Sequence, residues 1–397
     1  MIEINSNNFG VEVKDQNSNY HNSNAGASIS SQKRRKSRKV MVKDVAIGGG
    51  APVSVQTMTK TKTSDIEATV AQIKRIEEAG ADIVRVTVNN KEAADAIAEI
   101  VKRVNIPIVA DIHFNYSFAL KAIEAGVAKV RINPGNIGKV ERIQKVLNAA
   151  KERNIPIRIG VNSGSLEKDI LDKYGYPTAE ALFESAMRHV EIAQDNGFDD
   201  LVISVKSTSV PLMIEAYRLI ASKTDFPLHL GVTEAGRIRM GTIKSAVGIG
   251  TLLAEGIGDT IRVSLTDEPE REVEVGKDIL RTLGLAQRNV EIISCPTCGR
   301  IDVDLFKITE EIEEAVKNIK KPMTVSILGC AVNGPGEAKE ADLGVAAAKG
   351  KGLLFKKGIP IRYVPEEDIV KELLKEIENF VPESWKIKLK YHYPCFY

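Results

Sequence analysis

The sequence predicts an α/β protein: a (β/α)8 TIM-type barrel over residues 39–284, followed by a small α/β domain over 285–382. Three observations carry this. Short β-branched runs alternate with helical segments eight times between Pro52 and Leu265. Polar residues close nearly every one of those runs. The pattern changes near residue 285, and from there on cysteines appear. The chain has 397 residues, enough for two such units.

The predicted strands, in order, are PVSVQTM from Pro52, DIVRVTV from Asp82, PIVADIHF from Pro107, KVRINPG from Lys129, PIRIGVN from Pro156, DLVISVKS from Asp200, PLHLGVT from Pro227 and DTIRVSL from Asp259. Between them, segments such as IEATVAQIKRIEEAG place apolar residues at three- and four-residue steps, and Gly80 supplies a helix stop. The fifth-to-sixth interval is longer and predicts an extra element around LEKDILDKYGYPT. After residue 285, EIISC and MTVSILG read as strands. DLFKITEEIEEAVKNI reads as a helix with Leu305, Ile308, Ile312, Val316 and Ile319 on one face. DLGVAAA, GLLFKKG and IPIRYV are further strands, and Ile369, Leu373, Ile377 and Phe380 mark a last helix.

Residues 1–38 are rich in Asn and Ser and end in SQKRRKSRK, a composition expected of a disordered arm, with docking to an acidic partner as the alternative. Glu3, Glu12 and Asp15 argue against an organelle transit peptide. Residues 383–397 are expected to be a tail. A formal net charge of +2 speaks against a nucleic-acid binder, and no apolar run is long enough to span a membrane. Four cysteines do not make a secreted disulfide scaffold; clustered as they are, they indicate metal ligands or redox groups in a reducing, cytoplasmic setting.

Polar residues near the strand ends bear on function: Gln56 and Thr57, Arg85, Asp111 and His113, Arg131 and Asn133, Arg158 and Asn162, Lys206, Glu234, and Arg262 with Ser264. In a barrel these ends converge on one mouth. Four arginines and a lysine there repel one another, and Asp111 and Glu234 cannot offset them; an anion with several charges can. Guanidinium forks match phosphate oxygens, so the expected substrate is a phosphate or diphosphate ester. GIGTLLAEGIG from Gly248 is not a dinucleotide fingerprint, since the third glycine position is Leu253 and no strand leads directly into it.

In the second domain, SCPTCGR pairs Cys295 with Cys298, and GCAVNGPGE brings Cys330 and Glu337. A zinc ribbon needs a second pair, and none follows. Three cysteines beside a glycine-rich loop suit an iron–sulfur cluster, with Cys395 or Glu337 as the open choices for the fourth ligand. A non-redox phosphate-ester transferase with a structural zinc site, and an iron–sulfur carrier protein, are the alternative readings.

From about Arg38 to about residue 381, the chain resembles the 4-hydroxy-3-methylbut-2-enyl diphosphate synthase family. CPTCGR, GCAVNGPGEA, VADIHFNY, RINPGNIG, IRIGVNSGSLE, PLHLGVTEAG and GIGDTIRVSLT carry the resemblance. It implies a [4Fe-4S] cluster on Cys295, Cys298, Cys330 and Glu337, with Cys395 left in the tail. It also implies 2-C-methyl-D-erythritol 2,4-cyclodiphosphate as substrate and ferredoxin or flavodoxin as electron donor. Arg85, Arg131, Arg158, Lys206, Arg262 and Ser264 would bind diphosphate, with Asn133 and Asn162 nearby. Glu234 would deliver a proton, with Asp111 and His113 in the same mouth. A head-to-tail homodimer would set one chain's cluster over the other's barrel. The chain departs from the family's usual QSMTNT-D-T in reading QTMTKTKT, which puts Lys60 and Lys62 after the first strand.

Overall fold

The computed structural model describes residues 34–113, 115–132, 140–287, 289–299, 301, 303–330 and 341–382. The expectations for residues 1–33, Asn133, Glu337 and the tail with Cys395 lie outside the described residues.

All eight predicted runs are strands of one parallel sheet: β3 (Ser54–Met58), β4 (Ile83–Val88), β5 (Ile108–Ile112), β6 (Lys129–Ile132), β7 (Ile157–Asn162), β8 (Leu201–Lys206), β9 (His229–Leu230) and β10 (Thr260–Ile261). Their order is β8-β7-β6-β5-β4-β3-β10-β9, and a parallel bridge from Ile203 to Leu228 closes the ring. Around it lie α1 (Ile66–Glu78), α2 (Lys91–Arg103), α3 (Tyr116–Glu124), α4 (Val140–Glu152), α5 (Lys168–Tyr174), α6 (Ala179–Asp195), α7 (Val210–Lys223), α8 (Ile238–Ala254) and α9 (Pro269–Thr282). Side-chain caps start several of these helices where the loop turns back. Asp65 accepts from the Ala68 amide at 3.0 Å and Asn90 from Ala93 at 2.8 Å. Gly80, at φ +88°, follows α1 as its sequence position predicts. Helix α5 is the extra element in the long interval.

The foot of the barrel holds a feature the sequence did not announce. β1 (Val40–Val42) and β2 (Val45–Ile47) form an antiparallel hairpin whose Val42 and Ile47 pack under Ile83 and Val109. Runs of three residues are too short for a period-two signal. The arm expected through residue 38 is also anchored at its end. Ser37 Oγ donates to Asp259 at 2.7 Å, Arg38 Nε to Asp225 at 2.7 Å and Arg35 Nη1 to the Thr224 carbonyl at 2.6 Å. Residues 34–38 therefore belong to the barrel's foot, where acidic residues offset the basic run.

The second sheet has the order β11 (Val290–Ser294), β12 (Met323–Leu328), β13 (Leu343–Ala348), β14 (Lys351–Lys356) and β15 (Ile359–Pro365). The first three strands are parallel and the last two pairings antiparallel. Helices α10 (Leu305–Val316) and α11 (Ile369–Asn379) cover one face, burying Ile308, Ile312, Leu373 and Ile377 against Val325, Ile327 and Val345. These are the apolar stripes that the sequence placed on the two helices.

Candidate active site

The barrel interior gathers cations that are nearly sealed from water, and Arg85 and Arg158, expected at strand ends, stand third and second in their six-residue strands. Arg85, Arg131, Arg158 and Lys206 are all buried, Arg158 to 1% exposure. β4 to β8 each contribute from an inward-facing position, because successive strand residues alternate sides. Asp111 on β5 sits among them. Its Oδ1 accepts from Arg131 Nη1 at 2.9 Å, and its Oδ2 lies 3.7 Å from Arg85 Nε and 3.9 Å from His113 Nε2. Arg131 also donates through Nη2 to the Gly160 carbonyl at 3.1 Å. A Cβ at Gly160 would stand 2.5 Å from Arg131 Nε, so only glycine lets the guanidinium lie flat there.

Burial raises the Asp111 carboxyl, but Arg85 and Arg131 outweigh it and hold the group well below the usual carboxylate range. The cations move the other way. Burial, reinforced by Arg262 and Arg131 and opposed by Asp111, brings Arg85 down to about 10. Burial and then neighbouring guanidiniums push Arg158 and Lys206 well below their ordinary values. Among the described residues, Arg158 Nε and Nη1 have no hydrogen-bond partner. Unpaired buried donors of this kind are costly unless something anionic meets them.

Arg262 is aimed by a residue that sequence reasoning missed. Glu272 on α9 is 1% exposed. It accepts from Arg262 Nη2 at 3.1 Å, Thr57 Oγ1 at 2.7 Å and the Leu265 amide at 3.0 Å. Lys129 and His229 were also missed. Lys129 shares the inward parity of Arg131 two residues earlier, and neither its Nζ nor either His229 ring nitrogen has a partner among the described residues. Asn162 ends β7 and Ser264 is half-buried after β10. Glu234 is exposed after β9 at φ +51°, a left-handed conformation uncommon outside glycine.

In the second domain, Cys295 directly follows β11 and Cys330 lies two residues past β12, at the same end of two adjacent parallel strands. The Cys295 amide donates to the Ile327 carbonyl at 3.3 Å, which ties the two ends together. Cys298 is exposed, none of the three cysteines is in a disulfide among the described residues, and Thr297 between the first two takes φ +64°. Among the described residues no three His, Cys, Asp or Glu side chains converge as a single-ion site requires. A cluster asks for something different, since its inorganic core holds the thiolates apart. Cys295 and Cys330 at one sheet end, with Cys298 three residues on and a cavity of about 410 Å³ lined by Cys295, Pro296, Thr297 and Phe306 beside them, fit such a core.

Residues 37–277 match the GcpE TIM-barrel domain and residues 291–379 the GcpE protein C-terminal domain. The chain is 60% identical over 320 residues to the 4-hydroxy-3-methylbut-2-en-1-yl diphosphate synthase (flavodoxin) of Caldanaerobacter subterraneus subsp. tengcongensis, covering 81% of this chain and 90% of that one. The protein of the same name from Geobacillus thermodenitrificans is 59% identical over 319 residues, covering 80% and 85%. Among solved structures, the dihydropteroate synthase of Xanthomonas albilineans shares 16% identity at a TM-score of 0.44, covering 62% of this chain and 97% of that one.

Proposed function

The chain belongs to the GcpE family, and on that premise we infer that it converts 2-C-methyl-D-erythritol 2,4-cyclodiphosphate to (E)-4-hydroxy-3-methylbut-2-enyl diphosphate. The reaction is a reductive ring opening and dehydroxylation in isoprenoid precursor biosynthesis. The observation that carries it is the match of both domains to family members at about 60% identity. The anion-seeking mouth fits the same substrate.

Arg85, Arg131, Arg158, Lys206, Arg262 and Ser264 hold the diphosphate, with Asn162 and Asn133 at its margin. Guanidinium forks fix oxygen positions, and the dry surroundings strengthen each contact. Asp111 was expected among the catalytic groups. Held ionised between two arginines, it suits aiming them better than moving a proton. His113 flanks it at the rim. Glu234, the exposed carboxyl beyond β9, donates the proton that lets a hydroxyl leave as water. Cys295, Cys298, Cys330 and Glu337 would hold a [4Fe-4S] cluster, which would supply two electrons one at a time. The relatives' names point to flavodoxin rather than ferredoxin as donor. No helix among the described residues is long and apolar enough to cross a membrane. Cysteines without a disulfide among the described residues suit a reducing cytoplasm.

Iron and acid-labile sulfide on anaerobically prepared protein test this reading. About four of each per chain, with broad visible absorption that bleaches on reduction, is the expected result. Zinc instead, or no metal after reconstitution, would leave only a phosphate-binding barrel.

The topology favours a shared site. β10 runs toward the mouth and α9 returns to the foot, so the connection to the second domain starts at the end away from its own mouth. A head-to-tail homodimer brings a partner's cysteines over it. Specific activity should therefore fall on dilution to monomer, and activity retained by a verified monomer would rule this out.

A further inference from the structure

β15 is the last strand of its sheet and, among the described residues, pairs with β14 alone. Native edges are usually blunted by charge, proline or a covering element. β15 has Pro360 and Pro365, yet Ile359 is 70%, Ile361 41% and Tyr363 56% exposed. So many large apolar side chains on one edge strand call for a cover.

Beyond α11 the sequence reads ESWKIKLKYHYPCFY. Trp385, Ile387, Leu389, Tyr391 and Tyr393 alternate with Lys386, Lys388, Lys390 and His392. That is the period of a strand with one apolar face. The stretch lies past the family match, which ends at Asn379.

We propose that residues 385–393 lie along the free edge of β15 as a sixth, parallel strand whose apolar side chains cover Ile359, Ile361 and Tyr363. The place where α11 ends supports this. Lys356, paired with Ile359 at the start of β15, has its Nζ 5.7 Å from the Phe380 ring. Lys321, just before β12, donates to the Ile377 carbonyl at 3.1 Å. The chain therefore leaves α11 at the end of the sheet where both β12 and β15 begin.

Handedness selects the same place. β15 runs parallel to β11, and α10 and α11 cover the same face. A strand added outside β15 thus repeats the β11–α10–β12 crossover, same helix face and same direction of advance, and keeps the hand that parallel crossovers strongly prefer. Length agrees too. Nine residues extend ~30 Å, enough to span the seven of β15 and reach the turn beyond it. The two prolines confine backbone pairing to the residues between them, so apolar contact supplies most of the attraction. The strand would also carry Cys395 to the cysteine end of the sheet but four strand spacings from β12, ~19 Å, too far to share a metal group with Cys330.

Trp385 is the chain's sole tryptophan and reports on the tail directly. In the full-length protein its emission should be blue-shifted and poorly quenched by acrylamide. Tyr363→Lys should shift the emission to the red, with the far-ultraviolet circular dichroism unchanged. As an independent readout, a chain ending at Pro382 should exchange the amides of Ile361–Val364 at least ~10-fold faster than the full chain. A water-exposed Trp385, or identical exchange in the two chains, overturns the proposal. So does protection in the shortened chain that grows with protein concentration, because a second copy would then be the cover.

Discussion

Cys330→Ser is expected to give folded protein that carries little or no iron and has lost turnover. Cys330 is half-buried past the end of β12, so exchanging sulfur for oxygen removes almost no packing. What it removes is a soft thiolate, and a serine hydroxyl neither ionises near neutral pH nor suits iron–sulfur chemistry. Losing an outer-shell partner already costs ~10–100-fold in metal affinity or activity, and a direct ligand should cost more. Iron and sulfide should fall from ~4 per chain to below ~1, with far-ultraviolet circular dichroism preserved. Cys395→Ser is the matched control and should keep its full complement. Full iron in Cys330→Ser would refute the ligand assignment, and its loss in Cys395→Ser would return the fourth position to that cysteine.

The legibility of this molecule follows from the range of each signal. Eight strands could be read because parallel barrel strands are buried on both sides and show as β-branched runs between helical stretches. PLHLGVT and DTIRVSL were legible as elements although β9 and β10 keep only two residues each of regular ladder, since the run records burial and not pairing. Arg85, Arg131, Arg158 and Lys206 were legible as buried barrel cations because a cation inside a β-branched run has no solvent to face. Glu272 was not. In PEREVEV it looks like any acid on a solvated helix, and its burial arises only when Arg262 and Thr57 arrive from other strands. Lys129 stood at the start of its run, where a cation reads as a polar boundary. The choice of a fourth ligand for the proposed cluster was beyond spacing altogether, because Cys395 and Glu337 were both chemically admissible and only the family resemblance separated them.

Arg131→Met should raise KM steeply while leaving iron content untouched. The side chain has two tasks that the geometry separates. Nη1 and Nη2 are committed to Asp111 and the Gly160 carbonyl, which fixes the plane of the fork. Nε has no partner among the described residues and is available to an incoming oxygen. Loss of a charge-assisted bond to diphosphate is worth ~1.5–3 kcal/mol, about 10- to 150-fold in binding. Stability responds to two opposed terms. Methionine relieves repulsion on Arg158, but it leaves Asp111 with Arg85 at 3.7 Å as its remaining close guanidinium. The change in melting temperature should therefore be small beside the change in KM. Arg131→Lys should recover only part of the loss, because a single ammonium cannot hold Asp111 and Gly160 and still present a donor to the diphosphate. If KM is unchanged in Arg131→Met, the diphosphate does not sit on this side of the mouth. Full activity in Arg131→Lys would mean that charge alone matters there, and the planar fork held by Asp111 would have no part in binding.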